Sequence, residues 1–273
     1  MINKIIANNI NNSNSYNYSS NNNKTPSFTG HSHGANSNLS KKQKAIVLAS
    51  AAAGMVPVLA VLAKMKGFSL NPVKILKTPV KDWAIFKYSP KEKSIEFEEP
   101  QIIAVAAGSV AGGFIGGTIV DDKSNRKAKQ REILSQILGN VLVPVGCVGF
   151  GSRQYEKYAN RIEHAMPQIN KTGSVVKFIN KCLKHIPNIV ATVSFLGIGI
   201  YLGNKVSNFI NEKLYHQKVE RDIKASDFAP HVDDLCLATS MMNKESEFGS
   251  KLARIIPLAL LVPGYQTGIA QEK

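Results

Sequence analysis

Residues 45–63, 100–120, 133–152 and 186–204 contain no Asp, Glu, Lys, Arg or His, and nothing else in the chain restricts its fold so severely. A hydrocarbon layer about 30 Å thick is crossed by roughly 20 helical residues rising about 1.5 Å each. All four runs have that length. A soluble protein would have to bury four helices apolar on every side, whereas a surface helix is apolar along one stripe only. The expectation is an all-α membrane protein, a multi-pass helical bundle with firm transmembrane helices at about 45–64, 101–120, 133–152 and 186–204. A fifth uncharged run within 255–271, "IIPLALLVPGYQTGIA", is broken by Pro257, Pro263 and Gly264 and carries Gln266 and Thr267. It is read as a fifth transmembrane helix, a re-entrant one, or one lying at the interface.

Charge placement agrees with this reading. The chain has 34 Lys+Arg against 19 Asp+Glu, a formal +15, and the basic residues sit between the apolar runs. Lys41, Lys42 and Lys44 abut the first span, and the link 121–132 holds Lys123, Arg126, Lys127, Lys129 and Arg131. Short basic segments beside spans face the cytoplasm and attract anionic lipid. The N-terminus and the 121–132 link are therefore expected to be cytoplasmic, in a plasma or inner membrane, with 64–99 and 153–185 on the other side. Nucleic acid is not an expected partner, because aromatics make up only 7% of residues and do not interleave with the basic ones.

The remaining segments are polar. Residues 1–44 are an Asn/Ser-rich tail with too little apolar surface to offset the entropy of ordering, so it is read as disordered. Its opening "MINKIIANNI" turns to asparagine before an apolar signal region can form, which leaves an internal span to direct insertion. His31 and His33 are read as solvated residues. In the first loop, Asn71 and Pro72 predict the cap and first turn of a short helix, and "AIFKYSPKEKSIEFEE" (84–99) predicts a small β-hairpin. Residues 205–254 are read as an amphipathic helical region, with Val206, Phe209, Ile210 and Leu214 at helical spacing.

Glycine marks the second span. Gly108, Gly112 and Gly116 fall every four residues, and Gly113 and Gly117 repeat the spacing one position along. Between helices in lipid there is no hydrophobic drive, so association relies on close packing at small residues. The pattern resembles the glycine-zipper motif seen in many unrelated membrane proteins. It predicts a helix-packing face, within the monomer or in a homo-oligomer, and the short link makes the third span, with Gly146, Gly149 and Gly151, the expected partner. Pro57 and Pro144 predict kinks in spans one and three.

Chemistry is sparse. Cys147, Cys182 and Cys236 have neither disulfide nor zinc spacing. The cluster Asp227, His231, Asp233, Asp234 and Cys236 contains metal-ligand and acid/base residue types. A simpler reading makes Asp227 a cap, Pro230 the opening of a helix, and Asp233 and Asp234 early residues favoured by its dipole. No catalytic or metal-binding residue and no cofactor is assigned, and the enzyme reading ranks third. The first is a structural or interaction role through the glycine-packed hairpin, and the alternative is a small channel or transporter. Asn140 and Asn188 within the spans are expected to join helices by hydrogen bonds.

Overall fold

The computed structural model describes residues 38–79, 83, 99–170, 173–216, 223, 225–232 and 255–272. Every regular element among them is helical. They are α1 (Lys41–Met65), α2 (Pro72–Lys77), α3 (Glu99–Val120), α4 (Arg126–Leu134), a π-helical segment (Ser135–Leu142), α5 (Val143–Ala165), α6 (Ser174–Tyr215), α7 (Ile256–Ala259) and α8 (Leu261–Ile269), with 3₁₀ turns at Lys123–Asn125 and Ala225–His231. Residues 1–37 of the expected tail and 84–98 of the expected β-hairpin lie outside the described residues, as do Asp233, Asp234 and Cys236. Residues 41–44, read as the end of the tail, instead form the first turn of α1 behind the Ser40 cap, and Glu99 opens α3.

Four helices are long and apolar enough to cross a membrane: Lys41–Met65, Glu99–Val120, the continuous Lys123–Ala165 and Ser174–Tyr215. Local sequence explains their limits. Ser40 closes a capping box with Gln43 at the start of α1, each side chain meeting the other's backbone N–H. Asn71 accepts from the N–H of Val73 ahead of Pro72 in α2. The third and fourth helices run well beyond their uncharged cores, because Lys, Arg and Glu are good helix formers and continue a helix already begun.

Two glycine-bearing faces of α3 organise the bundle. A one-residue offset rotates a helix by about 100°, so Gly108, Gly112 and Gly116 point to α1 while Gly113 and Gly117 point to α8. A methyl group added at Gly54 of α1 would lie 2.8 Å from Gly112 Cα, and one at Gly116 would lie 2.5 Å from Ser50 Cβ. On the other side, a methyl at Gly113 would stand 2.9 Å from Gly264 Cα and one at Gly117 2.7 Å from Gly268 Cα. Real Cβ atoms do not approach so closely, so these contacts exist because the side chains are missing.

The expected partner was the third span, and here the structure differs. Gly146 has nothing within 4 Å of a would-be Cβ, Gly149 faces Glu99, and Gly151 faces Phe195 of α6. The third span instead spends its own glycine, Gly139, on Gly203 of α6. The main apolar core closes between these layers from Met55, Ile102, Val105, Ala106, Val141, Val145, Ile256 and Leu260. The fifth uncharged run, as α7 and α8, therefore lies inside the bundle alongside α3.

Candidate functional site

Pro144 shapes the site. In a regular helix the carbonyl of Asn140 would accept from the N–H of residue 144, and proline has none. Its ring also crowds that carbonyl, and the chain widens into the π-segment Ser135–Leu142, which ends as Val143 N–H bonds back to the Leu138 carbonyl. The expected kink is thus a change of helical pitch. The stranded Asn140 carbonyl finds His231, whose Nε2 lies 2.8 Å away. A carbonyl only accepts, so Nε2 is the donor.

Around this point a polar column runs along one face of α4 and the π-segment. The residues Lys129, Glu132, Gln136 and Asn140 are three or four apart, so they stack on one side, and all are buried. Gln136 donates from Nε2 to Glu132 Oε1 and to Gln266 Oε1, each at 2.6 Å. Its own Oε1 accepts from Asn140 Nδ2 at 2.9 Å, and the same amide donates to Asp227 Oδ1 at 3.0 Å. Each amide gives away both hydrogens, which orients the whole chain of bonds.

Lys129 anchors the other end. Its side chain is 0% exposed, and its three N–H donors reach Asp121 Oδ2 at 2.7 Å, the Gly268 carbonyl at 2.9 Å and the Ala270 carbonyl at 2.7 Å. The ammonium thereby closes the carboxyl end of α8, where unpaired carbonyls and the helix dipole both favour a cation. Asp121 also accepts from Asn125 and Gln271. Burial alone would raise its pKa, but the bonds from Lys129, Asn125 and the Asp122 N–H reverse that and hold the carboxyl below its usual range. Nearby, Arg131 pairs with Glu272 at 2.9 Å and lies over the Tyr215 ring.

Of the residues read from sequence as a polar cluster, Asp227 and His231 come together at Asn140. They do so from a 3₁₀ turn, Ala225–His231, with Pro230 inside it. Asp227 is buried against Asn140, so its partner is the third span. Burial pushes the His231 pKa down to about 4, against the pull of Asn140 and Asp227 in the other direction, and the ring is neutral at pH 7. Among the described residues no three His, Cys, Asp or Glu side chains converge as a metal site would require.

Sequence reasoning missed Lys129, Glu132, Gln136 and Gln266. The signal was the spacing Glu132–Gln136–Asn140, hidden by starting the span at Ile133 to keep it free of charge. No family model matches this chain, and the searches of curated proteins and of solved structures gave no match either.

Proposed function

We propose that this chain is a multi-pass integral membrane protein with a structural or interaction role, built as a bundle closed on itself by glycine contacts. One observation carries the reading: all five α3 glycines face α1 or α8 of the same chain. The buried charges serve the same end, since Lys129, near the start of the third helix, gives two donors to carbonyls at the end of α8 and one to Asp121 after α3. The outer faces suit lipid. Ile46, Val56 and Val61 on α1, Ile119 on α3, and Val190, Val193 and Ile198 on α6 are exposed, an arrangement that water would penalise and hydrocarbon would not.

The partner in this reading is the bilayer, with anionic headgroups at one end of the bundle. Gln43 of α1 donates to the Val120 carbonyl at the end of α3, which puts Lys41 and Lys42 beside Lys123, Arg126 and Lys127, all of them exposed. That end is assigned to the cytoplasm. A second reading, a small channel or transporter, draws on the buried polar column, because ionisable groups inside a membrane bundle mark pathways by default. Liposomes containing the protein and loaded with ions or small solutes distinguish the two, and the structural reading expects no flux above empty vesicles.

Insertion itself is tested by washing native membranes with carbonate or high salt. The protein stays in the pellet on this account, and release to the soluble fraction would overturn it. A cysteine placed by Ser124→Cys, in a background lacking the native three, resists an impermeant thiol reagent in intact cells. Labelling there, with protection of Ser94→Cys, would invert the topology.

A further inference from the structure

The inward face of α6 bears a second polar group of residues that the column does not use. Asn204, Ser207 and Asn211 are three and four residues apart, so they share that face, and each is at most 5% exposed. The face lies against the π-segment, since a methyl at Gly139 would run into Ser207 Oγ, and one at Gly203 into Gly139. Yet neither amide atom of Asn204, nor Ser207 Oγ, nor Asn211 Oδ1 has a hydrogen-bond partner within the protein. Buried polar atoms are nearly always paired. Four such atoms on one stripe, opposite a stretch where helical pitch changes, point to a ligand.

The chemistry of the stripe selects the ligand. It offers amide N–H donors, amide oxygens and a hydroxyl that is both, and none carries charge. A cation is repelled by the amide hydrogens and an anion by the oxygens, whereas water satisfies both kinds. We propose that internal water molecules along the seam between α6 and the π-segment are bound by Asn204, Ser207 and Asn211. Asn211 is one turn from Tyr215, which faces Arg131 at the basic end. Asn211 therefore lies towards the aqueous rim, and Asn204 further inside the bundle. This inference stands whichever function holds.

Water-edited solid-state NMR on the full chain in lipid nanodiscs reads the seam directly. Magnetisation from water reaches the side-chain amides of Asn204 and Asn211 as fast as those of exposed residues, while the amide of Asn140, held between Gln136 and Asp227, builds up more slowly. Asn204→Leu and Asn211→Leu each lower the melting temperature in detergent, because they remove groups that water had satisfied. Slow transfer at both amides, with melting raised by either leucine, would mean a dry seam and overturn the proposal. Signals that move on exchanging sodium or potassium for choline would assign the seam to an ion and overturn it equally.

Discussion

The two sides of α3 and the face of the third helix solve one problem in opposite ways. Around α3, helices approach until backbone meets backbone, with Gly54 against Gly112 and Gly113 against Gly264. Along the third helix, contact is made by long side chains whose hydrogen bonds run from Lys129 to His231. The glycine contacts tolerate no added atom, and the polar contacts tolerate no removed partner. In the lipid setting proposed for this chain, where helices are joined without a hydrophobic drive, van der Waals closeness and hydrogen bonding are the two means left. This chain uses them on neighbouring surfaces of one bundle, and α8 belongs to both, through Gly264 and Gly268 on one side and Gln266 on the other.

The comparison breaks hardest at Lys129. Replacing it with Met leaves Asp121 and two helix-terminal carbonyls without their cation, and removal of one partner from a buried pair costs about 3–5 kcal/mol. Denaturation in detergent should register that loss, together with release of α8. A variant as stable as the parent would show that Lys129 is not what holds α8 in place.

Acid attacks the polar side next. Below its ordinary value of 6.5 the unfolded state's His231 takes up a proton, while the folded ring stays neutral down to about 4. The unfolded state then binds more protons, so stability falls as pH drops through that window, by about 3 kcal/mol at its lower end. Asp121, held below the ordinary 3.8, adds its own loss only at still lower pH, as its carboxylate is protonated. His231→Gln keeps a donor for the Asn140 carbonyl and should flatten the curve between pH 6.5 and 4. An unchanged slope would place the acid sensitivity elsewhere.

The glycine side responds to size. Gly113→Leu must displace the Gly264 backbone and should cost about 1–3 kcal/mol, as overpacking generally does. Gly146→Leu, with nothing within 4 Å of its added carbon, should be close to neutral in the same melt. Equal effects at the two positions would remove the distinction between packed and open glycines.

How much of this was legible beforehand follows from which signals are local. Charge-free length gave the four long helices, and the Ser40 and Asn71 caps are written in neighbouring residues. The glycine spacing on α3 was visible too, including its one-residue offset, but an offset names two directions and no partners. Those partners, Gly54 and the pair Gly264 and Gly268, lie far away in sequence. The polar column was hidden for another reason. Glu132 and Lys129 read as a solvated link because burial of charge depends on partners, and these come from Asp121 and from residues 266–270, which only the folded chain brings near. Pro144 announced an irregularity without saying that His231 would repair it.

The claim that most needs testing is that α3's glycines are filled by their own chain. Ser50 and Gly116 face each other, with Ser50 Cβ 2.5 Å from where a Cβ on Gly116 would stand. A disulfide needs about 3.5–4.5 Å between Cβ atoms, so Ser50→Cys with Gly116→Cys, in a background lacking the native cysteines, forms one within a single molecule once α1 and α3 part by about 1 Å. Oxidised in native membranes and run without reductant, the double variant should remain at monomer mass with its thiols consumed. A ladder at twice that mass, present in the double variant and abolished by reductant, would mean that the glycine faces join separate copies and would contradict the account.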